Sequence, residues 1–225
     1  MTRKTNLIAG LMSAAVLATP ALASASQISF GTRLDHEPSN SVPAHTCAED
    51  GSDTPTPACT RVAIDQGDAV GGLLRAPKNG RIVAFKVRAG APGQMTFRVV
   101  SLQGNIGPGM GTYMGRGDGT GPTVNVQGNG FSETGNPVET FKANLKVKQG
   151  DYVGIDSTST SALYCSSGGA HQLIFSPTLG GPMSALASTS KTDGCELLVQ
   201  AVMEPAKKVK KHKKHHKQHH HRRHH

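Results

Sequence analysis

The sequence predicts an all-β protein, an antiparallel β-sandwich of jelly-roll type, followed by a disordered basic C-terminal tail. Short segments rich in β-branched and aromatic residues recur along the middle of the chain, and Gly, Pro or Asn bounds each of them. In the clearest segments apolar and polar side chains alternate, which is the pattern of a strand with one buried face. Outside the N-terminal leader, no long segment carries the apolar period of a helix.

The first residues are typical of a secretory signal peptide. Arg3 and Lys4 precede an apolar stretch from Leu7 to Ala18, and a small-residue cleavage site follows at Ala21 to Ala23. The apolar stretch is shorter than the roughly 20 residues of a transmembrane helix. We therefore expect residues 1–25 to be a signal peptide and the mature protein to be secreted, either extracellular or associated with the cell envelope, without a transmembrane segment.

The basic charge is concentrated in the tail. The chain has a formal net charge of +9, from 24 Lys and Arg residues against 15 Asp and Glu residues. Two of the basic residues lie in the leader and nine lie in the tail from Lys207, so the remaining 13 oppose all 15 acids within residues 26–204. This stretch has the length of a single domain and is nearly neutral overall.

The cysteines predict a disulfide-containing domain. Cys47, Cys59, Cys165 and Cys195 are the cysteines of the chain, and in an exported protein they predict two disulfides. The local pairings are Cys47 with Cys59 and Cys165 with Cys195, although the sequence leaves the pairing open. A zinc site is disfavoured because the chain has no C-x-x-C pair.

The elements of the first half follow in chain order. Residues 30–58, rich in Pro, Ser and Thr, predict a surface segment pinned by the first disulfide. Strands are predicted at residues 60–64, 69–76, 81–89 and 94–102, and the AGAPG turn predicts a hairpin between the last two. Residues 104–135 contain eleven glycines and predict long connections or a bulged edge strand, with residues 123–127 as the convincing strand.

The second half resumes the alternation of a sandwich. Apolar residues at every second position from Phe141 to Val147 alternate with Lys and Asn. A tight turn at residues 149–151 leads to a strand at 152–156, and further strands are predicted at 162–165, 171–175 and 195–203. The total is about nine or ten strands.

Three stretches carry a resemblance to a known group: RIVAFKVRAGAPGQMTFRVVSL, TFKANLKVKQGDYVGIDS and CELLVQAVMEP. Together they resemble secreted β-sandwich proteins of actinobacteria to which no activity is assigned. The resemblance covers roughly residues 45–205. It implies a sandwich fold and export, and it provides no catalytic or binding residues.

The domain contains no motif that specifies an enzyme. G-x-S-x-G, H-E-x-x-H, the P-loop and the complete G-x-G-x-x-G fingerprint are all absent from the sequence. We assign no catalytic residue and expect a non-enzymatic protein. The alternative is a secreted hydrolase whose site is built from the Gly-rich loops. Such a site would join Asp118, Asp156 or His171 with a serine or a second carboxylate.

Other candidate residues favour structural roles. His36, His45 and His171 are expected to be surface or structurally satisfied histidines. Arg116, Gly117 and Asp118 spell an integrin-type tripeptide, but turn chemistry explains Gly and Asp in such a segment. The sequence has no Trp and only three Tyr, which disfavours an aromatic sugar-binding platform.

The tail predicts polyanion binding. Residues 207–225 carry no acid and have almost no apolar surface to bury, so residues 205–225 should be disordered. Anionic cell-envelope polymers or other polyanions are the expected partners, and the absence of stacking aromatics argues against sequence-specific nucleic-acid binding. The residues expected to hold polyanions are Lys207, Lys208, Lys210, Lys211, Lys213, Lys214, Lys217, Arg222 and Arg223.

A metal-binding tail is the second interpretation. Histidines four positions apart would share one side of an induced helix, where they could chelate Zn, Cu or Ni. The protein is expected to need no cofactor otherwise. Metal binding requires neutral imidazole, whereas polyanion binding strengthens as imidazole gains a proton below about pH 6.5. The candidate metal ligands are His212, His215, His216, His219, His220 and His224.

Overall fold

The structure is a computed structural model that describes residues 26–39, 47, 58–104, 113–131, 135–158, 160–165, 171–184, 187–188 and 191–207. The leader, His45 and the tail after Lys207 lie outside these ranges. Within them the chain has two short 3₁₀ turns, Gln66–Asp68 and Val70–Gly72, and thirteen β-strands. The strands are β1 (Ile28–Gly31), β2 (Cys59–Ala63), β3 (Gly80–Arg88), β4 (Gly93–Gln103), β5 (Met114–Val126), β6 (Val138–Val147), β7 (Tyr152–Ser157), β8 (Leu163–Cys165), β9 (Gln172–Phe175), β10 (Ala187–Ser188), β11 (Lys191–Asp193), β12 (Cys195–Leu197) and β13 (Val199–Pro205).

The strands form two main sheets and a ribbon. The small sheet has the order β1-β13-β3-β6, the large sheet has the order β10-β5-β4-β7-β2-β9-β11, and the ribbon pairs β12 with β8. The pairings between these described strands are antiparallel. Phe85 of β3 stacks on Phe97 of β4 with ring centroids 4.5 Å apart, so the two main sheets face each other across an apolar core. The predicted all-β antiparallel sandwich is confirmed.

The link between β3 and β4 crosses from one sheet to the other, so the predicted hairpin at residues 89–93 is wrong. β3 pairs with β13 and β6, whereas β4 pairs with β5 and β7. Alternation indicates that one face of a strand is buried, but it does not identify the neighbouring strand in the sheet. Two strands in different sheets can bury their apolar faces against each other without any hydrogen bonds between them. The turn predicted at residues 149–151 is present at residues 149–150, and it also crosses, because β6 and β7 lie in different sheets.

Other local predictions are also wrong. Residues 69–76, predicted as a strand, contain the turn Val70–Gly72, in which Gly71 and Gly72 have φ of 55° and 75°. Glycine adopts these left-handed conformations without steric cost, and they end any extended run. The segment from Phe30, predicted to lie at the surface, begins inside β1, where Phe30 is fully buried.

The glycine-rich region was predicted as long connections or a bulged edge strand; the structure confirms a bulged strand, but a longer one that is not at the edge. β5 covers Met114–Val126, far beyond residues 123–127, and lies one position from the edge of the large sheet. Its pairing with β4 shifts register twice, between Thr96 and Arg98 and between Val99 and Val100. Glycine is tolerated in such a strand because the bulges and close neighbours leave no room for a side chain.

The local disulfide pairings are the ones formed. Cys47 pairs with Cys59, and Cys165 with Cys195, with Cα–Cα distances of 5.4 and 4.1 Å. The second bond joins the two strands of the ribbon. Such a pair of bonds fits an oxidising, extracellular environment. Among the described residues, no helix has the length and apolar character that a membrane span needs.

Candidate functional site

Basic side chains gather on the outer side of the small sheet. Arg81 and Lys86 lie on β3, and Lys142 and Lys146 lie on β6. We call these four residues the basic face. Arg81, Lys142 and Lys146 are exposed and Lys86 is half-buried. Arg81 is directly opposite Lys146, which places both side chains on the same side of the sheet.

A β-bulge brings all four cations to one side. Arg81 and Lys86 are five positions apart on β3, and in a regular strand an odd spacing would send them to opposite faces. The register of β3 against β6 shifts between Ile82 and Ala84, which reverses the side for the rest of the strand. The bulge therefore keeps Ile82 and Phe85 fully buried while both cations remain outside.

The basic face is not neutralised by neighbouring acids. Within the described residues, none of its four cations has a carboxylate within ion-pair distance. Arg81 donates a hydrogen bond to the neutral side chain of Asn144 instead. Glu204 of β13 is opposite Arg81 in register, but its Oε1 accepts from Gln27 Nε2 at 3.4 Å. The face therefore presents net positive charge to solvent.

The tail leaves the domain at this face. β13 ends at Pro205, which is paired with Gly80, and the backbone N–H of Ala206 donates to Asn79 O at 2.9 Å. Lys207 follows and is exposed. A groove of about 640 Å³ lies at this exit, and its lining includes the cations Arg81, Lys146, Lys148 and Lys207 with Glu204 as its acid. The root of the tail and the basic face are thus one continuous surface.

Sequence reasoning missed this surface. The alternating lysines from Lys142 to Lys148 were interpreted only as the solvent side of a strand, and the near-neutral total of the domain concealed their grouping. The available signal was the spacing of Lys142 and Lys146 on one strand, with Lys148 directly after it and no acid between them. The contribution of Arg81 could not be seen, because it depends on the pairing of β3 with β6 and on the bulge.

The integrin-type tripeptide lies within β5 and is not presented as an open loop. Asp118 Oδ1 accepts from Arg116 Nε and Oδ2 accepts from Lys148 Nζ, both at 2.8 Å, and the Asp118 side chain is only 5% exposed. Burial alone would raise the pKa of Asp118, but the contacts with Lys148 and Arg116 lower it below its ordinary value. The same contact raises the pKa of Lys148. Asp118 is therefore committed to an ion-pair cluster within the protein.

Asp156 is also held in an internal network. Its Oδ1 accepts from Thr60 Oγ1 at 2.5 Å, and its Oδ2 lies 3.4 Å from Arg98 Nε. Arg98 donates further hydrogen bonds to Leu179 O and to Thr120. Burial raises the pKa of Asp156. These contacts tie the segment after β9 to the large sheet, which is a structural role.

The histidines within the described part of the domain contact carboxylates. His171 Nδ1 lies 2.9 Å from Asp65 Oδ2 and 3.0 Å from Asp68 Oδ2. His36 Nδ1 lies 2.6 Å from Glu196 Oε2. Burial raises the pKa of Glu196, and the hydrogen bond from His36 opposes this effect. The sequence identified the histidines, but their acidic partners come from distant elements and could not be assigned from spacing.

Comparisons of the chain with protein-family models, with curated proteins and with solved structures found no match. The fold and the site must therefore be interpreted from their own geometry. The tail residues predicted to bind polyanions or metal lie outside the described residues, with the exception of Lys207.

Proposed function

We propose that this protein is an exported, non-enzymatic binding protein that attaches to anionic polymers of the cell envelope or the extracellular space. The tail from Lys207 and the basic face act together as the binding surface. One observation supports this proposal above all: the tail leaves the domain on the sheet face that carries unneutralised Arg81, Lys142 and Lys146.

Charge density explains why the two parts would cooperate. Each Lys or Arg close to an anionic surface contributes about 1 kcal/mol. The attraction is screened over about 8 Å at physiological salt, so cations contribute together only when they meet the same stretch of polymer. A polymer bound along the groove would contact Arg81 and Lys146 and continue directly onto the tail. The rigid face would hold the polymer while the tail lengthens the contact.

The test compares retention on immobilised heparin or polyphosphate as salt increases. The proteins are the mature chain, a variant that ends at Ala206, and a full-length variant with Lys142→Gln and Lys146→Gln. Ending the chain at Ala206 preserves the contact of its N–H with Asn79. Loss of the tail should reduce retention most. Loss of two face lysines should weaken binding roughly thirtyfold at low salt.

The matched control removes the same charge elsewhere. Arg33 and Arg75 are exposed and lie outside the basic face, so a variant with Arg33→Gln and Arg75→Gln has the same net charge as the face variant. It should elute like the mature chain. Equal elution of the two double variants would remove the basic face from the proposal, and full retention of the variant ending at Ala206 would overturn the role of the tail.

The direction of the pH effect separates polyanion binding from metal binding by the tail. Protonation of histidines below about pH 6.5 adds positive charge and should strengthen retention on polyanions. Metal chelation by the same imidazoles would weaken over this range because a proton competes with the ion. Retention that falls between pH 7.5 and pH 5.5 would contradict the proposal; these values bracket the ordinary histidine pKa of about 6.5.

A further inference from the structure

Asp35, His36 and Glu196 bring metal-ligating groups together beside the ribbon. Glu196 lies in β12, and Asp35 and His36 lie in the segment that follows β1. His36 Nδ1 is 2.6 Å from Glu196 Oε2 and 3.9 Å from Asp35 Oδ1. One donor atom from each residue lies within 4.8 Å of the other two. An imidazole nitrogen with carboxylate oxygens is a ligand set suited to zinc and related ions.

The ribbon holds two of these groups in place. Glu196 is directly opposite Tyr164, and the ring of His36 stacks on Tyr164 with centroids 4.3 Å apart. The next pair along the ribbon is Cys165 with Cys195, which is covalently closed. A site on disulfide-linked strands loses little conformational freedom when it binds a ligand, so its geometry is pre-organised.

Glu196 has an unmet bonding requirement. The residue is only 3% exposed, and its Oε1 is buried without a hydrogen-bond partner among the described residues. His36 supplies a partner to Oε2 alone. A buried carboxylate oxygen without a partner is unfavourable, and buried carboxylates are normally paired or coordinate a metal. The hydrogen bond with His36 therefore accounts for Oε2 of Glu196 but leaves Oε1 without a partner among the described residues.

Asp35 is placed to complete the site. Its Oδ2 lies 3.4 Å from Arg33 Nε, while its Oδ1 lies on the side of His36. The Asp35 side chain is half exposed, so it can move without disturbing the core. Ligands about 2.1 Å from a tetrahedral zinc ion lie about 3.4 Å from each other. The observed separations of 2.6 and 3.9 Å fall on either side of this value, and small side-chain shifts would equalise them.

We propose that Asp35, His36 and Glu196 form a binding site for a divalent transition metal such as Zn²⁺, separate from the histidines of the tail. His36 would bind through Nδ1 after losing the proton shared with Glu196, and Glu196 would use both oxygens. Solvent molecules would complete the coordination from the exposed side of Asp35.

The neighbouring cluster of Asp65, Asp68 and His171 provides a matched internal control. It also places one imidazole nitrogen beside two carboxylates. However, none of the oxygens of Asp65 and Asp68 is among the buried side-chain atoms that lack a partner in the described structure. Asp65 Oδ1 accepts from the N–H of Gly67 at 2.8 Å, which occupies it in capping a turn. This cluster therefore lacks the unmet bond that distinguishes the site at Glu196.

The test must separate this site from the histidine-rich tail in the full chain. Diethyl pyrocarbonate modifies imidazoles, and mass spectrometry of peptides reports each histidine separately. Zn²⁺ should slow the modification of His36 roughly fivefold in the mature chain and should not do so in Glu196→Gln. His171→Gln should leave the protection of His36 unchanged. Near-saturating Zn²⁺ should also raise Tm by roughly 5 °C, an increase that Glu196→Gln removes.

The outcomes decide the proposal in both directions. If Glu196→Gln does not fold, Asp35→Asn replaces it, since Asp35 is exposed and its loss should weaken the protection of His36 without unfolding the domain. Protection of His36 that depends on Glu196 or Asp35 supports the site. Protection limited to the tail or to His171, or protection of His36 that persists in both variants, overturns it.

Discussion

At the residue scale, Asp118 connects the two sheets. The residue lies in β5 of the large sheet, whereas its partner Lys148 directly follows β6 of the small sheet. The carboxylate is almost fully buried, so it would be costly without its cations. Lys148 is 70% exposed, which limits the strength of that half of the cluster through solvent screening. The cluster joins the sheets near the root of the tail.

Asp118→Asn should destabilise the protein in a pH-dependent manner. Burial opposes ionisation of Asp118, yet Lys148 and Arg116 hold its pKa below the ordinary value of 3.8. A lowered pKa in the folded state means that the carboxylate stabilises the fold above about pH 4 and that this effect is lost as the pH falls further. We expect a loss of about 1 to 2 kcal/mol at pH 7.

Urea unfolding of both proteins at neutral pH and at about pH 3 measures this difference; the lower pH lies below the ordinary pKa of 3.8 for Asp118. The free energies of unfolding of the two proteins should converge at the lower pH, because the carboxylate of the parent protein takes up a proton. A difference that remains constant across this range would show that Asp118 stabilises the fold by packing and not by charge.

At the element scale, close packing around β5 explains why its glycine-rich sequence still forms a strand. A Cβ at Gly115 would lie 2.5 Å from the ring of Phe175, on the side away from the other sheet, and a Cβ at Gly119 would lie 3.1 Å from Leu145 of the small sheet. Side chains from both sides thus pack directly on the backbone of β5. The sequence showed many glycines in this region. It could not show which side chains pack so closely on β5 that only glycine fits opposite them.

Gly115→Ala should lower the free energy of unfolding by roughly 1 to 3 kcal/mol, because the ring of Phe175 is fully buried and has little room to retreat. Gly181→Ala is the matched control, since a Cβ there meets no atom within 4 Å. Thermal or urea unfolding of both variants provides the comparison. Similar losses in the two would show that the close packing of Phe175 on β5 is not a constraint.

The strands that carry the basic face show the same limit of prediction. The alternation in β6 was sufficient to identify that strand and its buried face, whereas in β3 it identified the strand but not the bulge that keeps both Ile82 and Phe85 inside. It was not sufficient to identify their pairing, because the AGAPG turn has the composition of a hairpin and yet crosses between sheets. The choice of hydrogen-bond partners depends on contacts between residues far apart in the chain, such as the stacking of Phe85 of one sheet on Phe97 of the other.

At the scale of the whole molecule, the disulfides close separate parts of the domain. One bond joins Cys47 to β2, and the other closes the ribbon that carries Glu196. Cys47, Cys59 and Cys195 are almost fully buried, so the bonds are protected within the fold. Their stabilising effect comes mainly from the restriction of the unfolded chain, which grows with the length of the closed loop.

Removal of the two disulfides should therefore have unequal effects. Cys165→Ala with Cys195→Ala opens a separation of 30 residues, and Cys47→Ala with Cys59→Ala opens a separation of 12. The chain-entropy relation gives losses of roughly 4 and 3 kcal/mol respectively. Denaturant unfolding of the two variants measures both. A larger loss for the shorter loop would show that native packing around Cys47 outweighs the entropy of the unfolded chain.

The sequence by itself determined the all-β class, the alternation of most main strands, the cysteines for two disulfides and the separation of a near-neutral domain from a cationic tail. These properties depend on composition and short-range alternation, which act within a few residues. Only the tertiary structure decided that the tail leaves beside Arg81 and Lys146, and that Glu196 meets His36. Both depend on strand register and on contacts between residues far apart in the chain, and no local pattern specifies those.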